Sequence, residues 1–177
     1  MKNIILVGMP GSGKSTLGIL LAKKIHYGYI DSDSIIVARA GKRLPQLIHE
    51  LGNQGFLELE ARVNASIEVE GCVIATGGSA IYRGDAIEKL KEKGVAVYLE
   101  ISCEEMIRRL GDPEKRGVVL QEGFSLEDLY KERAPLYEKH ADYILPLKVG
   151  ETVEDCAEKL VSLLGEVLEE EKTPAGV

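Results

Sequence analysis

Residues 8–16 read Gly8-Met9-Pro10-Gly11-Ser12-Gly13-Lys14-Ser15-Thr16, a match to G-x-x-x-x-G-K-[ST]. The apolar run Asn3-Ile4-Ile5-Leu6-Val7 precedes it and reads as a buried strand. Leu17, Leu20, Leu21 and Ile25 follow at helical spacing. A glycine-rich loop between a strand and a helix is the setting that makes this match a phosphate-binding loop. Glycines let backbone N–H groups turn inward around phosphate oxygens without a Cβ in the way. The helix start adds the positive end of its dipole. The motif assigns Gly11, Ser12, Gly13 and Thr16 to the cradle, Lys14 to the β- and γ-phosphates, and the Ser15 hydroxyl to Mg²⁺. A nucleoside triphosphate is the expected ligand.

The 177 residues suit one domain with a substantial core, and 45% hydrophobic with 29% charged residues is ordinary for a globular chain. A net charge of −7 leaves no basic excess for nucleic acid, so an anionic ligand must meet a local cluster of positive groups. No apolar run approaches the roughly 20 residues of a membrane span. Met1-Lys2-Asn3 leads straight into a core strand, so no signal peptide and a cytoplasmic location are expected. Cys72, Cys103 and Cys156 lack metal-ligand spacing and are expected as reduced core residues. His26, His49 and His140 are as scattered, with surface or structural roles expected.

Strand-like runs recur at 3–8, before Asp31, at 72–76, at 95–100 and at 142–147, separated by helical patterns. All but the last are near-continuous apolar runs, the pattern of a parallel sheet covered on both faces. Ser102-x-x-Glu105, Ser125-x-x-Asp128 and Thr152-x-x-Asp155 announce helix starts as capping boxes. Val153, Ala157, Leu160, Val161, Leu164 and Leu168 form one apolar stripe. The segment from Gly111 to Gly123 has no periodicity and glycines at both ends and in the middle, so a lid over about 111–124 is expected. The tail 169–177 is expected to fray.

Asp31-Ser32-Asp33 ends the second strand, where loops of a parallel sheet converge on a ligand. One carboxylate can hold Mg²⁺ and the other can orient or deprotonate an attacking hydroxyl; Asp33 can equally be a helix cap. Thr76-Gly77-Gly78-Ser79-Ala80 ends the third strand and permits close approach of a ligand to backbone. Phe56, Leu59, Val63 and Ile67 stripe a helix with Glu60 at the stripe's edge, either reaching solvent or lining a cavity. Arg133 continues the apolar face of Leu126, Leu129 and Tyr130, with Pro135 disturbing the helix just after it. A buried arginine needs an anionic partner, whether a ligand or a structural ion pair.

Taken together, the loop at 8–16, the Asp-Ser-Asp, Phe56 through Glu60, Ala75-Thr76-Gly77-Gly78, an arginine in the lid and Arg133-Ala134-Pro135-Leu136-Tyr137 resemble the shikimate kinase family over nearly the whole chain. The resemblance implies a three-layer α/β/α P-loop kinase fold with a five-stranded parallel sheet, a mobile lid and a substrate-binding helical region at about 33–67. It implies Ser15 with Asp31 on Mg²⁺, Lys14 on the phosphates and Asp33 orienting the acceptor hydroxyl. Arg116 would meet the transferring phosphates, Arg109 would lie by the adenine, and Gly77, Gly78 and Arg133 would hold the acceptor. Three positions depart from the family pattern. Leu57 stands where a second clamp arginine follows the phenylalanine, Ser79 where a third glycine is usual, and Arg116-Gly117-Val118-Val119 replaces Arg-Pro-Leu-Leu. A charge-assisted hydrogen bond is worth roughly 1.5–3 kcal/mol, so losing one clamp arm predicts about 10–150-fold weaker carboxylate binding.

The expected function is ATP- and Mg²⁺-dependent phosphorylation of a hydroxyl on a small anionic metabolite, shikimate first, by a monomer with no nucleic-acid or membrane partner. The alternatives are a related kinase for another small hydroxy acid or a hydroxy amino acid such as homoserine, with Leu57 shaping the pocket, or a non-catalytic ATP-binding regulator.

Overall fold

The computed structural model describes residues 1–170. In chain order it runs β1 (Asn3–Val7), α1 (Lys14–Ile25), β2 (Gly28–Asp31), α2 (Ser32–Ala40), α3 (Leu44–Ala65) and β3 (Cys72–Ala75). A 3₁₀ turn (Gly78–Tyr82), α4 (Gly84–Lys91), β4 (Gly94–Glu100), α5 (Cys103–Leu110), α6 (Leu126–His140), β5 (Tyr143–Pro146), α7 (Val153–Leu163) and α8 (Gly165–Glu170) follow. The five strands form one parallel sheet in the order β2-β3-β1-β4-β5, with Ile5 opposite Ile74 on one side and Ala96 on the other.

Alternation along the strands assigns the two faces. Ile4 and Leu6 pack with Leu17 and Leu21 of α1 and Ala157 and Leu160 of α7. Ile5 and Val7 point the other way, toward Ile81, Ile87, Leu90 and Tyr137. Both faces are therefore covered, which is why the central strands read as unbroken apolar runs. A third cluster, of Ile36, Leu47, Phe56, Val63 and Val119, joins α2 and α3 to the segment after α5. It builds one wall above the carboxyl ends of the strands.

Several local expectations are corrected. Ser125 and Thr152 close reciprocal capping boxes, but Ser102 only accepts the Glu105 N–H. The Glu105 carboxylate is engaged by Arg108 and Arg109 instead. Pro135 lies inside α6, which continues to His140. α3 breaks at Gly52 (φ 68°, ψ 170°) and ends at Ala65, so Ile67 lies beyond it. Val153 is exposed rather than part of the stripe. Glu169 and Glu170 close α8, and the rest of the expected frayed tail lies outside the described residues. The three cysteines are free, with Cys156 buried and Cys72 and Cys103 partly so. None of the described helices is long and apolar enough to cross a membrane.

Leu160 is fully buried between α7 and the sheet, whereas Leu51 is 47% exposed. Leu160→Ala is expected to lower stability by about 2–5 kcal/mol in urea denaturation, and Leu51→Ala to stay within about 0.5 kcal/mol of wild type.

Candidate active site

Two glycines shape the loop after β1, one by close packing and one by its backbone conformation. A Cβ on Gly8 would lie 2.8 Å from the Leu99 carbonyl oxygen, and Gly13 adopts φ 93° as the residue before α1. No side chain caps α1, so the first N–H groups of the helix remain available to an anion. Lys14 is buried, and its Nζ donates to the carbonyls of Gly8 (2.7 Å) and Met9 (2.9 Å). Burial brings its ammonium down to about 8, against the pull of Asp33.

Asp31 rather than Asp33 caps α2, accepting the Ser34 N–H at 3.1 Å. Its other oxygen accepts the Ser15 hydroxyl at 2.9 Å. Two hard oxygen donors side by side suit Mg²⁺, which takes few protein ligands and completes its shell with phosphate and water. No group of three or more His, Cys, Asp or Glu among the described residues offers another metal centre. Asp33 lies in the first turn of α2, and burial, reinforced by Asp31 and opposed by Lys14, pushes its carboxyl up to about 6. Between them Ser32 is fully buried and accepts the Gly77 N–H at 3.2 Å, which ties the β2 loop to the β3 loop.

Glu60 faces inward between Phe56 and Val63 at 1% exposure, at the centre of the buried face of α3 rather than at its edge. Ser79 donates to its Oε2 at 2.6 Å, and Oε1 has no hydrogen-bond partner. Burial pushes this carboxyl up to about 7, partly offset by the Ser79 hydrogen bond. Gly77 lets both acids pack close to the backbone: a Cβ there would sit 2.1 Å from Glu60 Oε1 and 2.7 Å from Asp33 Oδ1, so both carboxylates would have to move. Tyr137, stacked on Tyr98, donates to the Gly78 carbonyl and steadies the same loop.

Arg133 is 1% exposed and forms no ion pair among the described residues. Its Nη2 donates to the Val119 carbonyl at 2.6 Å, its Nε to the Tyr82 hydroxyl at 3.2 Å, and its guanidinium lies 4.9 Å from the Tyr82 ring centre. A buried guanidinium satisfied only by neutral oxygens is a site for an anion. Gly117 has φ 66° against Leu44 and Pro45, a conformation proline cannot adopt, which explains the departure at that position. Exposed Arg116 precedes it. Arg109 is oriented by Glu105, whose carboxyl is held down to about 2 by hydrogen bonds from Arg108 and Arg109.

Gly11, Gly13, Lys14, Ser15, Thr16, Asp31, Asp33, Gly77, Gly78, Arg109, Arg116 and Arg133 all line one cavity of about 520 Å³. Two residues read from sequence do not. Ser12 borders a neighbouring depression with Arg109, Leu147 and Glu151, and Leu57 borders another with Tyr82 and Arg83. Glu60, Ser79, Leu44 and Val119 line the cavity without having been assigned to it. Ser32 and Tyr82 act behind it. Glu60 carried a sequence signal as a carboxylate on an apolar stripe, and Ser79 and Val119 as departures from the family pattern; Leu44 carried none.

The family model described as shikimate kinase matches residues 10–164. The shikimate kinase of Haemophilus influenzae strain PittEE is 38% identical over 150 residues, 82% of this chain and 83% of that protein. That of Vibrio parahaemolyticus is 38% identical over 145 residues, 80% of this chain and 84% of that protein. The solved shikimate kinase of Acinetobacter baumannii in complex with shikimate superposes with a TM-score of 0.83 at 32% identity, covering 94% of each chain. A gluconokinase from Sinorhizobium meliloti shares the fold, with a TM-score of 0.57 at 18% identity over 99% of this chain and 98% of that one.

Glu60 supplies a stability test. Its carboxyl binds a proton more tightly folded (about 7) than unfolded (4.5), so stability falls as pH rises from about 4.5 through 7. Glu60→Gln keeps the shape without the charge. It is expected to raise the thermal midpoint at pH 8 by the equivalent of up to about 3 kcal/mol, with little gain at pH 5. The same gain at both pH values would show that the folded protein does not resist ionisation of Glu60.

Proposed function

The chain belongs to the shikimate kinase family, and on that footing we propose that it transfers the γ-phosphoryl group of ATP to a hydroxyl of shikimate, giving shikimate 3-phosphate and ADP. The observation that carries this reading is the meeting of Lys14, Asp33 and Arg133 in one cavity at the end of the phosphate loop. The triphosphate lies along the loop backbone, with Lys14 turned from the loop carbonyls onto its terminal phosphates and the adenine beside Arg109. The acceptor carboxylate meets Arg133, and the acceptor lies against the backbone of Gly77 and Gly78. Asp33, ionised at neutral pH yet more basic than an ordinary carboxylate, takes the hydroxyl proton as the oxygen bonds to the γ-phosphorus and the bridge to ADP breaks. Ser15 and Asp31 would hold Mg²⁺, whose charge neutralises the phosphate oxygens. Arg116 adds positive charge from the segment 111–124, which acts as a lid and keeps water from the transfer. The helical region 33–67 forms the acceptor wall. We place it in the cytoplasm as a monomer acting on small molecules; its net charge of −7 leaves no basic excess for nucleic acid.

Coupled ADP release with MgATP, measured against shikimate, homoserine, gluconate and no acceptor, tests the reading. Shikimate is expected to stimulate release; silence with shikimate and stimulation by another acceptor overturns the assignment. Lys14→Met is expected to lower kcat at least about 10²-fold without unfolding the protein. Arg133→Lys, which keeps the charge but loses the planar donor set, is expected to raise the KM for shikimate about 10-fold or more with a smaller effect on the KM for ATP. Equal effects on both KM values would remove Arg133 from the acceptor side.

A further inference from the structure

We infer that the lid does not move as one body, and that Asn53 is the positioning residue that fixes its last part to the acceptor wall. The inference rests on the kinase reading above and deepens it. Residues 112–118 are bonded to one another. Asp112 Oδ1 accepts the Glu114 N–H at 3.0 Å, the Gly117 N–H donates to the Glu114 carbonyl, and the Val118 N–H donates to the Pro113 carbonyl. Among the described residues no hydrogen bond or ion pair joins this turn to the rest of the protein, and its Arg116 is exposed. Left-handed glycines lie at its two ends, Gly111 (φ 64°) and Gly117 (φ 66°). The residues that follow are fastened instead. The Val119 carbonyl accepts Arg133 Nη2 at 2.6 Å, and the Leu120 carbonyl accepts Asn53 Nδ2 at 2.9 Å across 67 positions of chain. Gln121 adds a bond to Glu132 of α6. The Val119 side chain is buried in the cluster of Ile36, Leu47, Phe56 and Val63. Asn53 follows the break at Gly52 and so opens the half of α3 that carries Phe56 and Glu60 to the cavity. The boundary falls between Val118, which bonds inside the turn, and Val119, which bonds outside it. Arg116 therefore moves over the phosphates while Val119 stays as a fixed wall. An acceptor carboxylate engages Arg133 and competes for its donors, whereas no ligand competes for the Asn53 amide, so Asn53 keeps 119–121 in place when the site is filled.

The test compares wild type with Asn53→Ala by methyl relaxation dispersion at Val118 and Val119 in the whole protein, and by steady-state kinetics. In wild type without ligand, Val118 is expected to show microsecond-to-millisecond exchange and Val119 none. A non-hydrolysable ATP analogue with Mg²⁺ is expected to quench the exchange at Val118. In Asn53→Ala, Val119 is expected to exchange as well. The same variant is expected to raise the KM for the acceptor about 2–10-fold, the worth of one neutral hydrogen bond, with the KM for ATP unchanged. Exchange at both valines of wild type, or at neither, overturns the proposal, as does an Asn53→Ala protein in which Val119 stays quiet. Equal rises in both KM values would reduce Asn53 to a structural role and overturn it too. Should Asn53→Ala not fold, Asn53→Asp, which keeps the shape and removes the donor, decides by the same readings. The dispersion measurement needs no acceptor: silence with every acceptor overturns the kinase reading, and the two valines still decide this one.

Discussion

The burial of β1 on both faces and both edges is the constraint on which the molecule depends. Asn3–Val7 is buried at every position, with β3 on one side and β4 on the other. Such a strand can meet a polar ligand only where it ends. Two side chains keep that end in register with β3. At the start, Asn3 donates to the Val69 carbonyl and accepts the Cys72 N–H. At the finish, the Thr76 hydroxyl joins its own N–H on the Leu6 carbonyl. The phosphate loop and the Gly77-Gly78 loop are thereby held side by side; Ser32 fastens the Asp31–Asp33 turn to the second, and Asp31 joins Ser15 at the end of the first. Three loops from three strands become one rigid floor.

On that floor the charges modify one another. Burial lowers the Lys14 ammonium to about 8 and raises the Asp33 carboxyl to about 6, while each opposes the shift of the other. Both stay mainly ionised at neutral pH. Asp33 is left a stronger base than a solvated carboxylate, which suits it to taking a proton from an alcohol in the transition state. Glu60, pushed further, stands near its titration point at neutral pH. A chain with net charge −7 thus gathers Lys14, Arg109, Arg116 and Arg133 around one cavity and places three acids among them.

The fold and the phosphate end of the site were legible in the sequence because their signals are local. The loop spacing, the unbroken strands and the helix-start residues each need only a few neighbouring positions to be read. The acceptor end is built by contacts between distant residues, and there reading stops short. Nothing near Ser32 in the chain announces that it accepts a bond from Gly77, 45 positions on. The cap of α2 fell to Asp31 because its backbone is still extended (φ −111°, ψ 115°) and the helix begins at Ser32, one residue before the second carboxylate. Glu60 was visible as a misfit on an apolar stripe, but its place in the cavity depends on the kink at Gly52, which sets the direction of the second half of α3.

The departures from the family pattern form one physical arrangement. Gly117 takes a left-handed backbone against Leu44 and Pro45, which no proline could do. That path brings Val119 into the cluster around Phe56 and its carbonyl onto Arg133. Leu57, outside the cavity, packs against the same cluster instead of supplying charge. Arg133 therefore answers both to the segment 111–124 and to whatever anion enters the cavity. Its Nη2 is held by Val119 and its Nε by Tyr82, while Nη1 lies 3.2 Å from the point a Cβ of Gly78 would occupy. Arg133 and the Gly77-Gly78 loop therefore line the same part of the cavity as Asp33 and Glu60.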